Sequence, residues 1–165
     1  MTTSGYIEAV ACRLNLGAGD EQIAGWIHVD YRPDVADTIA DATRLPFASG
    51  AAAEIRAMDL LEHFPHDRTQ AILGEWRRVL AHAGTLTIKV PNILALARAI
   101  IAAPHREAMY VRNVYGGHRW GPDGAWDTHH WAWSPETITH ELAQAGFRIV
   151  ALNDDLNMEV RALRD

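Results

Sequence analysis

Gly17 and Gly19 close the apolar run Leu14-Asn15-Leu16, and Asp30 closes the next, Trp26-Ile27-His28-Val29. A strand that stops in Gly-x-Gly turns sharply and lets a ligand approach its backbone, because a residue without Cβ takes positive φ and leaves room. A carboxylate ending the neighbouring strand offers two oxygens suited to the two hydroxyls of a ribose. Together they read as a seat for a nucleoside-containing cofactor across the top of an open α/β sheet.

A second set of reactive side chains lies between indoles, in Tyr115-Gly-Gly-His118-Arg119-Trp120 and Trp126-Asp127-Thr-His129-His130-Trp131. Three readings stand side by side. In a substrate subsite, sugar or aromatic faces would stack on Trp while His118, Asp127 and His129 bond or deprotonate an acceptor hydroxyl. Alternatively, His118, Asp127 and His129 are reasonable ligands for zinc or another divalent ion. The third reading is a packed loop whose tryptophans cover an exposed cofactor edge. The first is preferred, and no metal is assigned.

The elements that must position these groups alternate strand and helix, which favours a mainly parallel sheet with helices on its faces. Strands are expected at Val10–Leu16, Trp26–Val29, Asp37–Ala40, Glu54–Met58 and Thr85–Val90, with a closing antiparallel pair at Phe147–Leu152 and Met158–Leu163. Asp67–Leu80 carries apolar residues at helical spacing, with Ala83-Gly84 as its left-handed end. A helix over Ile93–Ala103 stops at Pro104, and Ser134-Pro135-Glu136 starts another that ends near Ala145-Gly146. Tyr110–Trp133 shows little periodicity and reads as an inserted lid or binding loop. Leu45-Pro46-Phe47 reads as packing, with Phe47 buried, and Trp76 as core.

The composition sets the outer bounds. At 165 residues the chain reads as one domain with a single core. A net charge of −6 argues against a phosphate-tracking surface, so nucleic acid is not an expected partner. Cys12, the single cysteine, reads as core filler and excludes a disulfide framework. Met1 to Glu8 lacks the pattern of a signal peptide, and no run approaches a membrane span, so the expected location is cytoplasmic.

These blocks carry a family resemblance. The order Leu-Asn-Leu-Gly-Ala-Gly19, His-Val-Asp30, Asp41-Ala-Thr-Arg-Leu-Pro-Phe47, Leu60-Leu-Glu-His63, Arg77-Arg-Val-Leu80, Thr85-Leu-Thr-Ile-Lys-Val-Pro-Asn92 and Ala145-Gly-Phe147 resembles a class I S-adenosylmethionine-dependent methyltransferase. The likeness runs from residue 13 to 163. It is nearest the short type 11-like members found with bacterial glycan and secondary-metabolite genes. It implies a Rossmann-like, doubly wound α/β sheet of seven mainly parallel strands with an antiparallel last strand. It also implies S-adenosylmethionine as cofactor and roles for particular positions. Gly17, Ala18 and Gly19 would meet the methionine part, Asp30 the ribose, and Asp41 with Ala42 the adenine. Asp59 and Leu60 would line the pocket beside the sulfonium, with His63 at its mouth.

The chain also departs from that pattern. Asn15 stands where the first strand usually carries an acid, and Glu21 at the third glycine position. Asp20–Trp26 is too short for an ordinary crossover, since seven extended residues reach at most about 25 Å and have none to give to a helix. The first crossover helix is therefore expected to be missing or a single turn. The cover of amino-terminal helices is expected to be absent as well. The pocket should then be open, closed by the 110–133 loop, the amino-terminal arm or a second subunit, and the bare sheet face beside Trp26 is a dimer candidate. The expected activity is O- or N-methyl transfer to a small molecule, sugar or glycan precursor. The alternative is an inactive methyltransferase-like binding or assembly module. A nicotinamide oxidoreductase fits less well, because Gly-x-Gly-x-x-Gly opening a helix is not present.

Overall fold

The computed structural model describes residues 12–119 and 121–165. Val10 and Ala11, read as part of the first strand, lie outside the described residues, as do the amino-terminal arm and Trp120. Seven strands form one sheet: β1 (Cys12–Leu16), β2 (Ile27–Asp30), β3 (Thr38–Ile39), β4 (Ala52–Met58), β5 (Leu80–Pro91), β6 (Phe147–Asn153) and β7 (Asn157–Arg164). Their spatial order is β3-β2-β1-β4-β5-β7-β6. Every pair is parallel except those of β7, which runs antiparallel to both β5 and β6. The closing antiparallel pair forms as expected, with β7 inserted between its partner and the rest of the sheet.

One face of the sheet is apolar because alternate residues point the same way. Leu14, Leu16, Ile55, Ala57, Leu86, Ile88, Met158 and Val160 are buried there. Helix α1 (Thr69–Val79) lays Ile72, Leu73, Trp76 and Val79 on that face, at helical spacing. Each such side chain, fully buried, contributes about 1.5–3 kcal/mol. Helix α4 (Pro135–Gln144) adds Ile138 and Leu142. It starts as expected: Ser134 Oγ accepts the Thr137 N–H, and Thr137 Oγ1 accepts that of Ser134.

No helix occurs between β1 and β4, so the expected loss of the first crossover helix is what the structure shows. A polar clasp stands in its place. His28, buried in β2, accepts the Ile23 N–H on Nε2 (2.8 Å) and donates Nδ1–H to Asp37 Oδ2 (2.7 Å). The face beside Trp26 is polar rather than apolar. The Arg13 guanidinium lies 5.3 Å from the centre of the Trp26 ring, and Arg56 pairs with Glu21.

Three local expectations are corrected. Helix α1 ends at Val79 rather than at Ala83-Gly84; there Ala83 itself takes the left-handed turn (φ +58°). Gly84 is required for a different reason, since a Cβ would sit 2.8 Å from the Ala81 carbonyl oxygen. The 110–133 segment is not structureless. Helix α2 (Ile93–Ala102), capped by Asn92, is followed by α3 (Glu107–Tyr115), which overlaps its start, and Pro122–Asp127 forms tight turns kinked at Asp123 and Gly124, both at positive φ. Phe47 is half-buried, while its neighbour Leu45 is the buried residue. Among the described residues no helix is long and apolar enough to cross a membrane.

Candidate functional site

The carboxyl ends of β1, β2 and β4 open into a cavity of about 420 Å³. Gly17 and Gly19 follow β1 with φ +62° and +52°. Glycine suits Gly17 for its positive-φ backbone, and a Cβ there would also stand 2.7 Å from Leu60 Cδ1 and push that side chain aside. A Cβ on Gly19 would meet nothing within 4 Å. Asp30 Oδ2 accepts the Gly19 N–H and Oδ1 that of Arg32, each at 2.9 Å. Two backbone donors thus aim the carboxylate, and each oxygen keeps lone-pair capacity for a further donor.

Of the residues expected at the site, Gly17, Gly19, Asp30, Ala42, Asp59, Leu60, His63 and Asp127 line this one cavity. Ala18 is buried within the turn itself. Asp41 lies behind the lining: Oδ1 accepts the Thr43 N–H at 2.7 Å, and the carboxylate bonds the Tyr31 hydroxyl. Burial raises the Asp41 carboxyl, but the Thr43 and Tyr31 donors and the Arg68 charge outweigh it and hold it below its usual value. Burial and the adjacent Asp41 push the Tyr31 phenol up to about 12, so it remains a neutral donor. Asp59 sits in the left-handed region (φ +51°), and its Oδ2 pairs with Lys89 Nζ at 2.6 Å.

The inserted segment contributes Ala125, Trp126 and Asp127 to the lining. The Trp126 ring stands 6.1 Å from that of Tyr31, reaching across to the strand that carries Asp30. Asp127 Oδ1 accepts the Arg119 N–H at 2.6 Å. His118 is exposed and outside the lining, with Nε2 against the Tyr115 carbonyl. His129 is also outside the lining but packs edge-on against His63, ring centres 4.9 Å apart. Burial lowers the His63 imidazole below its usual value, outweighing the Thr128 and Asp59 carbonyls and the Asp127 and Asp59 charges. Burial, then His63, lowers that of His129.

Several lining residues escaped the sequence reading. Tyr31 and Arg32 directly follow Asp30 and Phe64 follows His63, so adjacency was their signal, whereas Trp126 is one of the loop tryptophans expected to stack on a ligand or cover the cofactor edge. Trp76 is core, as its place in the apolar spacing implies. It also donates Nε1–H to the Ala42 carbonyl at 2.8 Å, tying the central helix to the cavity.

No family model matches this sequence, and no curated protein does. Solved structures do resemble it. A SAM-dependent methyltransferase from Methanosarcina mazei superposes with a TM-score of 0.67 at 14% identity, covering 96% of this chain and 94% of its own. One from Archaeoglobus fulgidus gives 0.65 at 16%, over 94% and 87%. A Haloferax volcanii complex between the Trm112 methyltransferase activator and its methyltransferase gives 0.61 at 12%, over 93% and 82%. The fold is that of the class I methyltransferases. In this class I fold the cavity lies where open α/β sheets bind ligands: at the carboxyl ends of the strands, where β1 is flanked by β2 and β4 and the strand order reverses.

Proposed function

We propose that the chain is an S-adenosylmethionine-dependent methyltransferase acting on a small molecule or a sugar or glycan precursor. The observation that carries this reading is the joint presence of the Gly17–Gly19 turn and the Asp30 carboxylate on one cavity. The residues suit the cofactor. A volume of about 420 Å³ lies within the small-molecule range of roughly 300–1,000 Å³. Gly19 is open where a ligand would approach, and the Asp30 oxygens accept further donors.

When bound, the cofactor supplies a methyl group on a sulfonium, already activated for displacement. In our reading Asp30 holds the ribose hydroxyls, and Gly17, Ala18 and Gly19 bring backbone against the methionine part. Ala42 borders the adenine, and Asp41 acts there directly or through Tyr31. Asp59 and Leu60 line the sulfonium end. His63 and Asp127 face the acceptor. The lowered His63 imidazole is neutral at neutral pH and so able to take the proton of an acceptor hydroxyl or amine. His129 and His118 hold that side of the site in place, and Trp126 screens the cavity from water and offers a stacking face. In-line alignment then supplies most of the remaining rate. With Cys12 a free thiol, a cytoplasmic location fits best.

A binding or assembly module is the second reading, favoured by the helix-free stretch from β1 to β4. Incubation with methyl-labelled S-adenosylmethionine and panels of sugar, polyol and amine acceptors tests the choice. Label in a product, abolished by Asp30→Ala, supports the enzyme. A chain that binds the cofactor but transfers nothing to any panel supports the module.

A further inference from the structure

Glu62 is buried, with 1% of its surface exposed, and neither carboxylate oxygen has a hydrogen-bond partner. Buried polar atoms are nearly always satisfied, and a buried carboxyl group without partners is a costly exception. Two imidazoles face it. One ligand atom from each of Glu62, His63 and His129 lies within 4.8 Å of the others.

Both rings are oriented for metal binding. His63 Nδ1 lies 3.1 Å from the Thr128 carbonyl oxygen and His129 Nδ1 3.0 Å from that of Asn113. A neutral imidazole so held carries its proton on Nδ1 and presents Nε2 as a lone pair, the arrangement in which an outer partner orients a metal ligand. The supporting backbone is also tied together. The Glu62 carbonyl accepts the His130 N–H at 2.8 Å and the Trp131 N–H at 3.3 Å, and the His129 N–H reaches the Tyr115 carbonyl at 3.0 Å.

We propose that Glu62, His63 and His129 bind one divalent transition ion, zinc best matching two imidazoles and a carboxylate. Bonds of about 2.0–2.2 Å require the three atoms to close by roughly an ångström, within reach of side-chain rotation. The ion would satisfy the Glu62 oxygens and cross-link the turn at residues 61–63 to the 128–131 segment. Because His63 also lines the cavity, a remaining coordination position would face it. The site does not rest on the methyl-transfer reading, but it takes the same His63 Nε2 lone pair, so His63 acts as ligand or as base and not as both at once.

The test uses the full chain, stripped with chelator and desalted, titrated calorimetrically with zinc chloride and then with cobalt(II), whose visible absorption reports nitrogen and oxygen ligation. The expected result is one zinc per chain, a raised Tm and a cobalt spectrum. Glu62→Gln, which keeps the side chain's shape, and His129→Gln should each weaken binding at least as much as the roughly 10- to 100-fold cost of an outer-shell change. His140→Ala, at an exposed histidine, should leave binding unchanged. Absence of zinc binding, or binding that survives both ligand variants in folded protein, overturns the proposal. S-adenosylhomocysteine titration of the same zinc-free preparation separates its failure from that of the cofactor reading.

Discussion

Asp30 accepts the backbone N–H of Gly19 at 2.9 Å, joining the turn after one strand to the end of the next. In this chain that bond has unusual weight, because no helix connects the two strands. The carboxylate that would hold a ribose is thus also a tie within the site's frame. Asp30→Asn should keep the Gly19 tie through its remaining oxygen, lose the one from the Arg32 N–H and lose the charge. We expect S-adenosylhomocysteine affinity to fall about 10-fold or more, at roughly 1.5–3 kcal/mol for a hydrogen bond to a charged group. Calorimetry on the folded variant checks this; equal affinity would remove Asp30 from the site.

Gly17→Ala places a Cβ 2.7 Å from Leu60 Cδ1 at a backbone with φ +62°. A left-handed non-glycine residue costs about 1–3 kcal/mol, and Leu60 must move within the cavity lining. The expected outcome is a lower Tm together with weaker ligand binding. A variant with wild-type values for both would show that the turn relaxes freely.

Trp76→Phe keeps the ring in the core but removes the Nε1–H bond to the Ala42 carbonyl. Leaving a buried carbonyl without its donor costs about 1–3 kcal/mol. For a chain of this size the Tm should fall by about 2–10 °C. Thermal denaturation reads this directly, and an unchanged Tm would mean that water replaces the indole.

Much of the fold was legible because its signals were local. Gly-x-Gly at Gly17 and Gly19, the Ser134-Pro135 helix start and the apolar spacing of Ile72, Leu73, Trp76 and Val79 each follow from backbone or packing rules within a few residues. The absent crossover helix was legible too, since Asp20–Trp26 has no residues to spare. The His28 clasp was not, because its partners Ile23 and Asp37 are chosen by the fold and not by a periodic pattern. Helix α3 was missed for a related reason: Tyr110 is its one buried residue, so it carries almost no apolar stripe. At the site, Gly17, Asp30, Leu60 and His63 were marked by motif position. Glu62 stood within the same motif, and its isolation from any hydrogen-bond partner became visible only in three dimensions. The type 11 likeness rests on the motifs alone.

The clasp predicts a pH dependence. The His28 backbone N–H, then its ring, hold the Asp37 carboxyl below its ordinary value in the folded chain. A depressed folded value means that the stabilisation is complete above the unfolded value of about 4 and is lost as pH falls through the lower folded value. The Tm difference between wild type and Asp37→Asn should therefore be present in full at about pH 5 and shrink as the pH falls below about 4. Persistence of the full difference in strong acid would contradict the assignment.

The most direct test of the central claim is calorimetric titration of the wild-type chain with S-adenosylhomocysteine, paired with a thermal shift. Saturable 1:1 binding is predicted. At a hundredfold excess over Kd the ligand should add about 2.7 kcal/mol of stability. For a chain of this length that corresponds to a Tm rise of roughly 5–10 °C. No heat and no shift at millimolar ligand, in protein shown to be folded, would contradict the reading of the cavity as a cofactor site.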